Sequence, residues 1–170
     1  MAKEAVILIG HGAAASDTPR ALVAELKRLE GERQARGGAE PSAREAELDR
    51  RVRAWPRTPA NDPYKAGVES IAAALGPRLG ERTLVTAYNE FCAPSVDEAI
   101  EDLIARGYER IGLLCTMYTR GGSHAELEIP ASAARARARH PGVAIEYAWP
   151  YEPEFLAEFL AAQLARARTV

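Results

Sequence analysis

The chain has 170 residues, 47% of them hydrophobic and 27% charged, which suits a globular fold whose core needs no disulfide staples. A formal net charge of -2 argues against a nucleic-acid partner. No apolar stretch approaches the ~20 residues that span a bilayer, and the opening residues show no secretory leader pattern, so no membrane partner and a cytoplasmic location are expected.

The first predicted element is a buried strand over Ala5 to Gly10, a β-branched apolar run closed by Gly10-His11-Gly12. A helix follows, with Ser16 or Asp17 as its cap, Pro19 in its first turn and Leu22, Leu26 and Leu29 as its apolar stripe. Gly37-Gly38 interrupts it. Residues 42 to 54 read as a charged helix anchored only by Leu48 and Val52, exposed or paired with its predecessor. A proline-punctuated loop runs from Trp55 to Pro63. From Tyr64 the alternation is regular: a helix to about Leu75, a strand from Thr83 to Tyr88, then a helix opened by Pro94 and ended at Gly107. A strand over Arg110 to Tyr118, a glycine loop and a helix from about Glu126 to His140 come next. A last strand over Val143 to Tyr147 and a last helix from Pro153 to Arg168 close the chain. Four strands separated by helices with short junctions predict an α/β fold, an open and mainly parallel four-stranded sheet with helices on both faces, flavodoxin-like in its layering. No second domain is expected in residues 1–170, and residues 30–63 read as an elaboration of the first crossover.

Ligands of open parallel sheets bind outside the carboxyl ends of the strands. Of the three histidines, two fall there: His11 ends the first strand and His124 lies in the glycine turn after the third. Glu90 follows the second strand. Two imidazoles and a carboxylate at one sheet edge would hold a divalent first-row ion with open coordination positions. The glycines flanking His11 suggest close approach by backbone or ligand. Neither familiar strand-end motif fits: a histidine phosphatase would need arginine where Gly10 stands, and Gly10-His11-Gly12-Ala13-Ala14-Ala15 supplies only the first two glycines of a dinucleotide turn. Glu90, between Tyr88 and Phe91, is expected to be partly desolvated, which suits a proton acceptor beside a metal. Tyr88, Phe91, Met117 and Tyr118 would give the edge an aromatic rim for a planar ligand. Glu126 and Glu128 lie just past His124. His140 reads as a helix-end residue without a role, and Cys92 and Cys115, lacking Cys-x-x-Cys spacing, as packing residues rather than metal or redox centres.

At these residues the sequence resembles the class II tetrapyrrole chelatases, specifically the small CbiX-type sirohydrochlorin chelatases. The resemblance rests on Val6 to Gly12, on Glu90-Phe91-Cys92-Ala93-Pro94-Ser95 running to Ile100, on Ile111 to Tyr118 leading into Gly122-Ser123-His124-Ala125-Glu126-Leu127-Glu128-Ile129-Pro130, and on Ala138 to Val143. It implies insertion of cobalt(II) or iron(II), with nickel(II) as a third candidate, into sirohydrochlorin or a related metal-free tetrapyrrole, without nucleotide hydrolysis and without an organic cofactor. His11 and His124 would hold the metal, and Glu90 would complete the site or take up pyrrole protons. Glu128 matches an acidic position before Ile-Pro. Arg120 and Arg20, on rim loops, would meet the ring's carboxylates, and Tyr118 its face. Short members act as homodimers, so a homodimer is expected. The sequence departs from the pattern in carrying Ala13-Ala14-Ala15 where a polar Ser or Thr is usual, and in its long first crossover. Two other functions compete: a non-catalytic metal or tetrapyrrole carrier of the same fold, and a zinc-type hydrolase.

Overall fold

A computed structural model of the chain describes residues 2–38 and 40–167. The first strand, β1 (Glu4–Gly10), pairs in parallel with both β2 (Thr83–Tyr88) and β3 (Arg110–Cys115), and β3 pairs in parallel with β4 (Ala144–Tyr147). The order is β2-β1-β3-β4, so β1 is central and its carboxyl end faces the ends of β2 and β3. Gly10 is level with Tyr88, and Ile9 with Cys115. This register brings the residues after three strands to one edge.

Strand alternation then divides the core. Ala5, Ile7 and Ile9 join Ile111, Leu113 and Cys115 on one face, under α4 (Val96–Ala105) and α5 (Ile129–Arg139). Leu8 and Leu114 look the other way, toward α3 (Pro63–Leu75), which contributes Val68, Ala72 and Leu75. Both faces of the sheet therefore carry helices, as the near-continuous apolar strands predict. The helix starts have local causes. Asp62 accepts the Lys65 N–H ahead of Pro63, and Ser95 forms a reciprocal capping box with Glu98.

The first crossover departs from this plan. α1 (Arg20–Ala35) and α2 (Ala43–Arg53) pack on each other through Leu22, Leu26, Leu48 and Val52, and the cluster closes on Phe91 from the loop after β2. The paired alternative for residues 42 to 54 is thus the observed one, and Leu48 and Val52 are fully buried. The expected caps Ser16 and Asp17 do not cap α1. Pro19 stands at its N-cap without a side-chain bond, because the Asp17 carboxylate is engaged by Trp55 Nε1 at 3.0 Å and Asn61 Nδ2 at 3.1 Å. At the other end, α6 (Pro153–Arg166) buries none of its residues. Arg168, assigned to that helix by the sequence pattern, lies outside the described residues.

Candidate metal centre

β1 ends in a turn that admits only glycine at position 12. Gly12 has φ +92°, and a Cβ there would lie 1.9 Å from the carbonyl oxygen of Glu90. The close approach inferred from Gly-His-Gly is therefore an approach of backbone. Asn89 N–H donates to Gly10 O at 3.0 Å and Glu90 N–H to His11 O at 2.8 Å, extending the β1–β2 ladder past both strands. That extension fixes Glu90 beside His11. The His11 N–H donates to the Tyr64 hydroxyl of α3 at 2.8 Å.

His124 arrives by a different route. β3 ends at Cys115, earlier than the expected Tyr118, and the glycine loop leads into a π-helical turn over His124–Glu128. Its wider i→i+5 bond runs from the Ile129 N–H to His124 O. Such turns inserted ahead of α-helices recur at functional sites. The expected helix start near Glu126 is thus preceded by a turn that carries His124 itself.

The three side chains converge. Ligand atoms of His11, Glu90 and His124 all lie within 4.8 Å of one another, and each residue is partly buried. The imidazole rings meet edge to face with centroids 4.7 Å apart, and His124 Nε2 is 3.4 Å from Glu90 Oε1. Two ligands held at ~2.0–2.2 Å by one ion sit about 3–4 Å apart, so small side-chain rotations would close the set around a metal.

Neighbouring acceptors orient both rings. His11 Nδ1 is 2.8 Å from Gly12 O; a carbonyl only accepts, so the proton sits on Nδ1 and Nε2 keeps its lone pair. His124 Nδ1 lies 2.8 Å from Glu128 Oε1, which only accepts, and 2.7 Å from Asn89 Nδ2, which only donates; with the Nδ1 proton given to Glu128, Nε2 is free toward Glu90. Asn89 Nδ2 donates to the second Glu128 oxygen at 2.8 Å. A carboxylate behind a histidine fixes its tautomer and strengthens it as a ligand.

Further acidity surrounds this edge. A cleft of about 280 Å³ beside the site is lined by Glu30, Glu45, Asp49, Arg53, Asn89, Glu90 and Glu128, among others. Burial, and then the charge of Glu90, push the Glu30 carboxyl up to about 7. A second cleft of about 650 Å³ runs past Asn89 and Glu128 and is lined by Arg33, Arg53, Arg135, Ser123 and Leu127 as well.

The expected aromatic rim is only partly present. Tyr88 is fully buried, packed with Val68 and Cys92 against α3, and Phe91 is buried in the α1–α2 cluster. Neither can face a ligand. Met117 packs on the main core. Tyr118 is exposed, edge-on to Tyr151 at 5.5 Å. Arg20 and Arg120 are both exposed, with no ion pair among the described residues, and Glu126 points to solvent. Cys92 is buried, and burial raises its thiol above the ordinary range, which disfavours the thiolate a metal would need. His140 caps α5 and pairs with Glu101 at 2.9 Å, away from the site.

Sequence reasoning missed Asn89, Arg53, Arg57 and Glu30. Asn89 adjoins Glu90 at the strand end, which was a usable signal; the others reach the site only through the pairing of α1 with α2.

The model of the family CbiX matches residues 60–167. The chain belongs to the CbiX family. The matched segment contains Glu90 and His124; β1 with His11 and the α1–α2 hairpin precede it. Among solved structures, the CbiX fold recurs in a protein from Marinobacter aquaeolei described as a cobalamin (vitamin B12) biosynthesis CbiX protein. It is 18% identical, with TM-score 0.53, over 96% of this chain and 99% of the other. Bacillus subtilis SirB with Fe3+ is 15% identical with TM-score 0.50, over 98% of this chain and 48% of SirB. The sirohydrochlorin chelatase SirB from Bacillus subtilis subspecies spizizenii, in complex with cobalt, is 16% identical with TM-score 0.46, over 98% and 52%. The chain spans about half the length of these SirB proteins. No curated protein matches the chain in sequence.

Proposed function

We propose that the protein is an ATP-independent metal chelatase that inserts cobalt(II) or iron(II) into sirohydrochlorin or a closely related metal-free tetrapyrrole. The observation that carries this reading is the convergence of His11, Glu90 and His124 at one sheet edge in a CbiX-family chain. Bacillus subtilis SirB, which shares the fold, was solved with Fe3+, which supports the metal class.

The metal is a substrate, so it must be held and then released. Two neutral Nε2 atoms replace some of its waters without the tight grip of thiolates, and Glu90 supplies one negative charge. Insertion forms bonds from the metal to the ring nitrogens and releases two N–H protons. Glu90, with its side chain 26% exposed, accepts a departing proton and returns it to water before taking the next. Glu128, itself held by Asn89, keeps His124 in the tautomer that binds metal. Exposed Tyr118 would lie against the ring, and Arg20 and Arg120 would pair with its carboxylates. No organic cofactor is needed for this exchange.

We place the reaction in the cytoplasm; no helix among the described residues is long and apolar enough to cross a membrane. The working unit is a homodimer. α6 exposes Phe155, Phe159, Leu160 and Leu164, and a lone helix of its 14 residues is marginal in water. Antiparallel pairing with a second copy would cover that stripe and set Glu154 and Glu158 of one helix opposite Arg166 of the other.

Purified protein, metal-free sirohydrochlorin and Co(II) or Fe(II) test the reading by absorbance. The expected result is insertion faster than the spontaneous reaction and lost on His11→Ala or His124→Ala. A wild-type rate equal to the spontaneous one contradicts it.

A further inference from the structure

The loop that carries Glu90 is held by the first crossover, through its main chain. Phe91, directly after Glu90, has φ +56°, a left-handed conformation that a bulky residue adopts only when its surroundings enforce it. Its side chain fills the α1–α2 cluster between Leu22, Leu26, Leu48 and Val52. Two arginines then take up the loop carbonyls. Arg53, the last residue of α2, donates to the carbonyls of Cys92 at 2.9 Å, Asn89 at 2.8 Å and Tyr88 at 3.3 Å, while its Nε is held by Asp49 at 2.8 Å. Arg57, from the proline-punctuated loop, donates to the Phe91 carbonyl, to Ala13 O at 2.6 Å beyond the Gly-His-Gly turn, and to buried Asp62. The remaining carbonyl, that of Glu90, accepts from the Cys92 N–H at 2.6 Å. Every carbonyl from 88 to 92 is therefore satisfied, four of them by guanidinium groups that cannot lose their protons.

We infer that Arg53 and Arg57 are positioning residues that hold Glu90 at the metal site. This makes the long first crossover part of the site's architecture rather than a surface elaboration, and it rests on the reading of His11, Glu90 and His124 as one metal site. The fork of Arg53 spans several carbonyls at once, which a lysine of equal charge cannot do. Arg57 links the Glu90 loop to the strand-end turn of His11. Releasing either clamp frees Phe91 to leave its strained conformation, and the Glu90 carboxylate moves with it.

The test is a Co(II) titration followed by the ion's visible d–d absorption, on wild type, Arg53→Ala, Arg53→Lys, Glu90→Gln and the double variant Arg53→Ala/Glu90→Gln. Folding of each is checked by far-ultraviolet circular dichroism. Removing a residue that orients a ligand typically weakens metal binding 10- to 100-fold, and about tenfold is expected for Arg53→Ala, with altered d–d bands. Arg53→Lys should give nearly the same loss, and it carries the test should Arg53→Ala unfold. In the Glu90→Gln background the Arg53 substitution should cost nothing further. Wild-type affinity and spectrum in both Arg53 variants would overturn the inference, as would an equal loss with and without Glu90. A wild type that gives no Co(II) spectrum would instead overturn the metal-site reading itself, a distinct result.

Discussion

The two halves of the candidate site are built by different means. His11 and Glu90 are set by backbone: the ladder runs on past β1 and β2, Gly12 admits the Glu90 carbonyl, and two arginines hold the loop's main chain. His124 is set by side chains, on a π-helical turn, by Glu128 and Asn89. A backbone-built half resists adjustment, whereas a half held by two side chains can rotate. The difference would suit a site that grips a metal ion and then lets it go: the backbone-set pair would define the place, and His124 would be the ligand that adjusts.

The largest effects should come from the ligands. His11→Ala and His124→Ala should each reduce metal insertion to the spontaneous rate, read by absorbance; if His124→Ala retains half the wild-type rate, His124 is not a ligand. Gly12→Ala should strike the rigid half as a whole. Both the positive φ and the clash with the Glu90 carbonyl must be relieved, so a loss of about 3 kcal/mol in stability is expected from thermal or denaturant unfolding. A change below half of that would mean the turn is less constrained than its geometry indicates.

The adjustable half should respond more gently. Glu128→Ala removes the acceptor that fixes the His124 tautomer, and metal affinity should fall at least about tenfold while melting temperature stays close to wild type. An unchanged Co(II) affinity would show that Glu128 does not set the His124 tautomer.

Those expectations bear on how much the chain discloses before it folds. The four strands, their parallel arrangement and the edge position of His11, Glu90 and His124 follow from local apolar runs and from the rule that such sheets bind ligands at strand ends. Tyr88 and Phe91 were misread as a rim because aromatics beside a candidate ligand look alike in sequence, whichever way they point. Their burial depends on α3 and on the α1–α2 pair, and nothing local specifies it. The clamps from Arg53 and Arg57 were hidden for the same reason: each joins residues more than thirty positions apart, Arg53 from a charged helix read as exposed or paired with its predecessor and Arg57 from a proline-punctuated loop.

The smallest effect concerns Glu30. Its carboxyl is raised to about 7, first by burial and then by Glu90, so the folded chain keeps a proton that the unfolded chain gives up above the ordinary value of 4.5. By linkage, folded-state stability declines as pH rises from about 4.5 toward 7, and the deficit persists at higher pH. Glu30→Gln should therefore melt close to wild type at pH 4.5 and above it at pH 8. Equal shifts at both pH values would show that the carboxyl does not carry that burden.

The central claim is that His11, Glu90 and His124 bind one and the same metal ion. X-ray absorption of the Co(II)-loaded protein tests it most directly. The account predicts a first shell of oxygen and nitrogen with scattering from two imidazoles, falling to one imidazole in His11→Ala and again to one in His124→Ala. Scattering from a single imidazole in the wild type, or two retained in either variant, would contradict it.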